Sequence, residues 1–431
     1  MAGFFELLQR NRNYRRMWMG QVVSEVGDHF NNIAVFSLAM HLTGSGMVVT
    51  GVMLSRAVSV ILAGPVAGVV LDRFDRKRVM IASDVVRAVV ALCFILTIGR
   101  SDTWLLYLLS GLLMSASPFF TSGRGAILPA IASREELHTA NSLTQTTQWT
   151  TLTLGTFLGG MSTAWLGFEW AFVFNASSFL FSAFCISRLR ASGGGFRAER
   201  RDLSEDRVVR PWHEYGEGLR YMRGFPLILG IAVIHVGWAT GGGAAQILFP
   251  LFGEQVFGLG PAGTGILWGF AGVGLLTGGA VGHWLGRRLS FEGYKKTIAI
   301  SYVIHGGAYV LFSQMPSFGG ALFFMALSRA GVAVSSVLNF SQLLRYVSNE
   351  FRGRVFSTIE TLTWATMMLS MTGAGLASGW FTPRQIGAVS GILSSMTAFF
   401  WAWMDLGGKL PRPEPEGVEP EEVEIHGDPQ L

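Results

Sequence analysis

The sequence predicts an all-α membrane protein in which twelve transmembrane helices form two pseudo-symmetric bundles of six. Half of the 431 residues are apolar, only 14% are charged and the mean hydropathy is +0.41. A soluble protein of this length could not bury so much apolar surface. Apolar segments of about 20 residues, the length of a bilayer-spanning helix, recur along the chain, and one long polar stretch divides them into two sets.

The predicted spans are bounded by charged or turn-forming residues, and each is too long for a strand of a transmembrane barrel. They cover residues 17–41, 48–71, 79–99, 104–129, 138–166, 170–189, 226–252, 262–286, 295–314, 318–345, 354–380 and 385–406.

The polar stretch after the sixth span predicts the domain organisation. It holds a Ser-Gly-Gly-Gly run followed by mixed charges, which is typical of a linker. A shift of 215 residues places Ser142 and Trp149 on Ser357 and Trp364, which favours a duplicated six-helix unit. We expect a cytoplasmic N-terminal segment (1–16), two six-helix bundles (17–189 and 226–406), a cytoplasmic linker (190–225) and a disordered acidic cytoplasmic tail (407–431).

The distribution of Lys and Arg predicts the orientation in the membrane. With the amino terminus inside, 28 of the 33 basic residues, Arg124 among them, fall in cytoplasmic segments, and only Arg100 and Arg384 fall outside. This positive-inside bias predicts a multi-pass protein of the plasma membrane with both termini in the cytoplasm.

Cysteine labelling tests this orientation. A cysteine introduced at Ser204 in the linker should not react with an impermeant thiol reagent added outside intact cells, because the linker is expected to be cytoplasmic. The same cysteine should react after permeabilisation. Labelling from outside would reverse every inward assignment.

Composition and missing motifs exclude several classes of protein. The net charge of +5 is too small to indicate nucleic-acid binding. Cys93 and Cys185 lie in apolar runs, so neither a disulfide framework nor a metal site is expected. No G-x-x-x-x-G-K-S/T loop occurs, so we expect neither an ATP-hydrolysing enzyme nor a cofactor. The expected partners are a small-molecule substrate, protons and the lipid bilayer, and the protein is expected to be a monomer.

The loop after the second span carries the sequence GVVLDRFDRKR at residues 68–78. It resembles the motif G-x-x-x-D-R-x-G-R-R/K of the major facilitator superfamily, with Asp75 at the second glycine, where an aspartate can also adopt the left-handed turn. The first span and residues 123–143 resemble the branch of macrolide-efflux and enterobactin-exporter proteins. The resemblance covers the chain apart from its tail and implies an alternating-access transporter.

Two departures from the family bear on mechanism. Antiporters of the family often carry G-P-x-x-G-G in the fifth span, where this chain keeps the glycines and loses the proline (Gly155, Thr156, Gly159 and Gly160). The arginine that many relatives place in the middle of the fourth span is absent, because Met114 lies near that point. Arg329 stands 215 residues after Met114, at the corresponding position in the tenth span.

Two acidic residues lie deep in the first span. Glu25 and Asp28 stand about 12 and 17 Å beyond its start, at 1.5 Å per residue. With His29 and Asn32 they form a polar stripe about 100° wide, which cannot face lipid. We interpret it as a cleft-facing site where a proton and the substrate compete. The alternative is a buried structural network that joins the first two spans through Arg56.

The resemblance implies a conformational latch at the cytoplasmic edge. Asp72 would meet the start of the eleventh span, where the positive end of the helix dipole favours a carboxylate. Basic residues after an inward-running helix also follow from topology alone, so this simpler reading stays open. Asp84 and Arg87, three residues apart, are expected to pair and to support the latch. The latch residues are Gly68, Asp72, Arg73, Arg76, Lys77, Asp84, Arg87 and Arg354.

Further candidates lie in the later spans. Glu360 and Arg329 are expected either to pair or to face the cleft as a second ionisable site. Several aromatic residues could line the cleft for an amphipathic ligand or serve only in packing. They are Phe36, Trp149, Trp238, Trp268 and Trp364. His235 and His305 are isolated in apolar helices, where a packing role is commoner than a proton relay.

These observations together predict a secondary active transporter, not an enzyme. It is expected to export an amphipathic small molecule of the drug, macrolide or siderophore type in exchange for protons. One alternative is a lipid or lysolipid flippase of the same fold. A second is a non-transporting membrane receptor or sensor, whose expected mark is an appended signalling domain.

Overall fold

The structure, a computed structural model, describes residues 4–100, 103–190, 196 and 211–412. Within these ranges the regular structure is helical throughout. The helices are α1 (Phe4–Arg10), α2 (Arg12–Thr43), α3 (Gly46–Arg73), α4 (Arg76–Cys93), α5 (Trp104–Ile131), α6 (Arg134–Leu166), α7 (Phe168–Ser187), α8 (Pro211–Gly224), α9 (Pro226–Gly242), α10 (Ala245–Leu251), α11 (Gly260–Gly286), α12 (Phe291–Gln314), α13 (Phe318–Tyr346), α14 (Asn349–Ala377) and α15 (Pro383–Leu406).

Each predicted span corresponds to one long helix or, for the seventh, to α9 and α10 followed by a π-helical turn at Phe252–Val256. The predicted all-α fold with twelve spans is confirmed. Eight of the spans are long and apolar enough to cross a membrane. The other four, α2, α6, α12 and α14, are equally long but more polar. They bury polar side chains in the protein interior, as α2 does with Gln21, Ser24 and Asn31.

Local capping sets helix ends that the apolar runs alone could not predict. The Asn11 side chain accepts a hydrogen bond from the Tyr14 N–H at 2.9 Å, so α2 begins at Arg12, ahead of its apolar run. The helix ends at Thr43 and is capped by Gly44, whose φ of 62° lies in the left-handed region. A capping box between Ser133 and Glu136 starts α6.

The predicted linker and tail lie largely outside the described residues. Within 190–225, the described part includes Phe196 and the helix α8, which the sequence analysis did not predict. Of the tail, residues 407–412 are described.

The long helices pack as two halves, here called the first half (α2–α7) and the second half (α9–α15). In the first half, α2 packs against α6 and α7, while α5 packs against α3 and α4. In the second half, α13 packs against α11 and α12, while α15 packs against α9 and α12. The halves meet through α6 against α11 and through α3 against α14.

Glycines allow the closest contacts between the halves. A Cβ atom built on Gly160 of α6 would lie 2.6 Å from the Gly265 Cα of α11, so the two backbones touch. A Cβ on Gly375 of α14 would lie 1.9 Å from the Thr50 Oγ1 of α3. These contacts lie toward the end of the molecule where α2 joins α3, which we call the far end.

The opposite end, here called the basic end, carries the start of α2 and the loop from Asp72 to Arg78. There α3 and α14 are less covered. A Cβ on Gly64 or Gly68 of α3, or on Gly353 of α14, would meet no described atom within 4 Å. Among the described residues, the close glycine contact between these two helices therefore lies at the far end.

Candidate functional site

Glu25 ties three helices of the first half together. Its carboxylate accepts hydrogen bonds from Gln21 Nε2 at 2.8 Å and from Thr151 Oγ1 of α6 at 2.9 Å. It also pairs with Arg124 Nη1 of α5 at 3.5 Å, and both side chains are about one-fifth exposed. Glu25 is thus held in a polar junction of α2, α5 and α6.

Arg124 is the site residue that the sequence analysis missed. Its place in the chain groups it with the cytoplasmic basic residues, but its side chain reaches Glu25 inside the first half. The missed signal was its position within the predicted span 104–129, where an arginine requires a partner. The fourth span therefore does contribute an arginine to the polar interior. It is Arg124, ten residues after Met114.

Asp28 lies one turn farther along α2 than Glu25. Within the described part of the chain, no side chain donates a hydrogen bond to its carboxylate. It interacts electrostatically with the guanidinium groups of Arg87 and Arg56. The neighbouring Gly27 packs against α7, where a Cβ would lie 2.1 Å from Ser178 Oγ. Asp28 is half-buried, and its electrostatic interactions with arginines of α3 and α4 place its carboxylate inside the first half.

The other residues of the stripe contact two different helices. The Asn32 Oδ1 atom accepts a hydrogen bond from Arg56 Nη1 at 2.6 Å, and the Arg56 guanidinium lies over the Phe36 ring at 5.1 Å. The expected link between the first two spans through Arg56 is present, with Asn32 as its partner. His29 packs against Gly155 of α6, where a Cβ would lie 2.9 Å from the imidazole ring.

Asp84 and Arg87 form a buried ion pair on α4, as their spacing predicts. The Arg87 guanidinium lies between the rings of Phe120 and Phe179, at 4.7 and 4.3 Å. Asp84 stands eight residues, or about 12 Å, from the start of α4. The pair therefore lies away from the loop that carries Asp72, and its Arg87 interacts electrostatically with Asp28.

The remaining latch residues are dispersed over the basic end. Arg354 pairs with Glu217 of α8 at 3.1 Å. Asp72 and Arg73 are exposed, and within the described ranges Asp72 forms no ion pair. Arg76 and Lys77 donate to the backbone carbonyls of Ala126 and Leu189, both at 3.0 Å. The structure does not bring Asp72 and Arg354 together in this conformation.

Asp75 differs from the expected left-handed turn. Its φ is −64° and its side chain accepts a hydrogen bond from the Arg78 N–H at 3.0 Å, which makes it the N-cap of α4. An aspartate therefore replaces the glycine of the motif by capping a helix.

Arg329 and Glu360 do not pair. Arg329 is buried, with its guanidinium 5.6 Å from the Phe249 ring centre and 6.0 Å from that of Tyr309, whereas Glu360 is exposed. Trp149 is 42% exposed on α6.

The two histidines make short-range contacts. His305 Nδ1 lies 2.8 Å from Ser328 Oγ, and His235 Nδ1 lies 2.8 Å from the Ile231 carbonyl. Both contacts fit packing roles. Within the described ranges, no three His, Cys, Asp or Glu side chains are grouped closely enough to hold a metal ion.

Known proteins resemble the chain over most of its length. It is 28% identical over 389 residues to the uncharacterized MFS-type transporter YfiS of Bacillus subtilis, covering 87% of this chain and 88% of that one. It is 24% identical to the putative bacilysin exporter BacE of Bacillus subtilis, covering 82% and 85%. It is 23% identical to macrolide efflux protein A of Streptococcus pyogenes, covering 85% and 89%.

Solved structures share the fold. A bacterial homologue of the iron transporter ferroportin, in an inward-facing state, superposes with a TM-score of 0.68 at 16% identity, covering 91% of this chain and 98% of that one. The model of the Major Facilitator Superfamily matches residues 17–370. The loop motif, the two halves of long helices and this match lead to one conclusion: the chain belongs to the major facilitator superfamily.

Proposed function

We propose that this protein is a secondary active transporter that exports an amphipathic small molecule in exchange for protons. The observation that carries the proposal is Asp28, a carboxylate inside the first half that has no hydrogen-bond donor among the described residues. Beside it lies the Glu25–Arg124 pair. An unpaired carboxylate within a membrane-spanning helix marks an ion or proton path. The named relatives, a putative bacilysin exporter and a macrolide efflux protein, support export of drug-type substrates.

We propose that transport proceeds by alternating access of the bundles 17–189 and 226–406. With the basic end in the cytoplasm, the contacts of α6 with α11 and of α3 with α14 would close the protein toward the outside. Substrate would then enter from the cytoplasm and reach the polar stripe of α2. A rocking motion of the two bundles would separate the far end and release the substrate outside.

The latch belongs to the opposite conformation. Closing the basic end would bring Asp72 to the start of α14, where Arg354 would exchange its present partner Glu217 for Asp72. A carboxylate at a helix start contributes about 0.3 to 1 kcal/mol, which shifts a balanced conformational equilibrium several-fold.

Replacing Asp72 tests the latch. Asp72→Asn should lower the transport rate several-fold and leave ligand binding intact, because the latch lies away from the polar stripe. Asp75→Asn is the matched control, since asparagine also caps a helix. A normal transport rate in Asp72→Asn would contradict the latch.

Reconstituted liposomes test the proposed function. The purified protein should move at least one compound from a panel of drugs, siderophores and lysolipids when a pH gradient is imposed. A protonophore should stop this movement, and liposomes without protein should show none. Movement of a lysolipid that does not depend on the pH gradient would favour the alternative of a flippase. Binding without movement of any compound would favour the receptor.

A further inference from the structure

A small, partly open cavity lies where α6 of the first half meets the second half. It measures about 80 Å³. Its walls include Leu152 of α6, Trp238 of α9, Gln246 of α10, Trp268 of α11, Arg329 of α13 and Met367 of α14. Both halves thus contribute to a mostly apolar chamber that contains one cationic side chain.

Arg329 differs from the other inward-facing arginines of the described structure. Arg87 pairs with Asp84, Arg124 with Glu25, and Arg56 donates to Asn32. Arg329 is only 8% exposed, yet within the described ranges no carboxylate lies within 4 Å of it and no acceptor takes its hydrogen bonds. Aromatic faces of Phe249 and Tyr309 are its neighbours. A buried guanidinium without a counter-ion is costly, and a bound anion would remove that cost.

Two tryptophans in the cavity wall, Trp238 and Trp268, have unused hydrogen-bond donors. The indole N–H groups of Trp238 and Trp268 are both buried and, among the described residues, neither has an acceptor. The Gln246 side chain likewise makes no hydrogen bond within the described part of the chain. Buried donors in native proteins are normally satisfied. Unsatisfied donors in the same cavity wall as a buried cation favour a ligand that supplies acceptor oxygens and negative charge.

A carboxylate meets these requirements. Its two oxygens accept parallel hydrogen bonds from a guanidinium, and its remaining lone pairs can accept from N–H groups beside it. The apolar walls suit the carbon atoms next to the carboxylate.

We propose that this cavity binds a carboxylate of the transported molecule, with Arg329 as the counter-ion and the Trp238 and Trp268 N–H groups as further donors. The proposal deepens the proposed function, on which it rests, by naming the substrate class as amphipathic carboxylic acids. A substrate that also carries a cationic group would contact the carboxylates of the first half.

Binding of matched probes tests the proposal without requiring transport. The purified full chain in detergent is titrated calorimetrically with 1-naphthylacetate, 1-naphthylacetamide and 1-naphthyl phosphate. The carboxylate should bind at least tenfold more tightly than the amide. Arg329→Gln should abolish that preference, Arg329→Lys should restore part of it, and Arg345→Gln, an exposed arginine on the same helix, should retain it.

A second variant covers the case in which Arg329→Gln does not fold. Trp268→Phe keeps the ring and removes one N–H donor, and it should weaken carboxylate binding several-fold with little effect on the amide. Equal affinity for acid and amide in the unmodified protein would overturn the proposal, and so would an unchanged preference in folded Arg329→Gln. Tighter binding of the phosphate than of the carboxylate would overturn the substrate class. If the unmodified protein prefers the carboxylate over the amide but shows no proton-driven movement in liposomes, only the proposed function would be overturned.

Discussion

Asp28→Asn is expected to abolish proton-driven export. The variant keeps the size and polarity of the side chain but cannot exchange a proton, so an imposed pH gradient has no group through which to act. Downhill equilibration of substrate is expected to survive, because α2 packs closely on α7 through Gly20 and Gly27, which the substitution does not change. The measurement is efflux from reconstituted liposomes with and without a pH gradient, with the final substrate ratio recorded.

Two companion variants separate a proton site from a structural role. Glu25→Gln should shift the pH dependence of export, because it removes a charge one turn from Asp28 and weakens the contact with Arg124. Glu292→Gln changes a carboxylate that is 67% exposed beside Lys295, and it should leave export unchanged. Unchanged proton-driven export and pH profile in both Asp28→Asn and Glu25→Gln would make the stripe structural. Glu360 would then be the next carboxylate to test.

Gly265→Val is expected to open the far end and to stop transport. A Cβ at this position would lie 2.6 Å from the Gly160 Cα and 2.7 Å from the Thr156 carbonyl oxygen. Both neighbours are backbone atoms, so the side chain can be accommodated only if α6 and α11 separate. Overpacking of this kind costs about 1 to 3 kcal/mol, which corresponds to about a 5- to 150-fold shift between conformations.

A buried reporter can follow the opening. In a background with Cys93 and Cys185 replaced by serine, Thr50→Cys places a thiol at the contact of α3 with α14. The thiol should react with an impermeant reagent from the far side in Gly265→Val and stay protected in the parent. Gly279→Val is the control on the same helix, because no described atom lies within 4 Å of a Cβ there. Protection of Thr50→Cys and normal transport in Gly265→Val would show that the α6–α11 contact does not close the far end.

Several features of the site could be predicted from the sequence because they depend on residues close together in the chain. The spacing of Asp84 and Arg87 was enough to predict their ion pair, since residues three apart share a helix face. The depth of Glu25 and Asp28 in an apolar segment was enough to place them inside the protein, since lipid excludes them.

Other features depend on which helices lie opposite each other. Arg124 and Glu25 are 99 residues apart, and their contact exists because α2 and α5 both border the same interior. The pairing of Arg354 with Glu217 depends on α8. This helix lies in a charged segment whose composition predicts a linker. Asp75 is an N-cap and does not adopt the expected left-handed turn, because its side chain accepts a hydrogen bond from the Arg78 N–H at the start of α4.

By itself, the sequence determined the helical class, the twelve spans, the family motif and the acidic stripe. Each of these follows from local composition and periodicity, because the membrane requires every spanning helix to be long, mostly apolar and internally hydrogen-bonded. Only the tertiary structure decided that Glu25 has an arginine partner while Arg329 has none among the described residues, and that Gly160 and Gly265 touch. These relations join residues that are remote in the chain, and they arise from how the helices of the two halves pack.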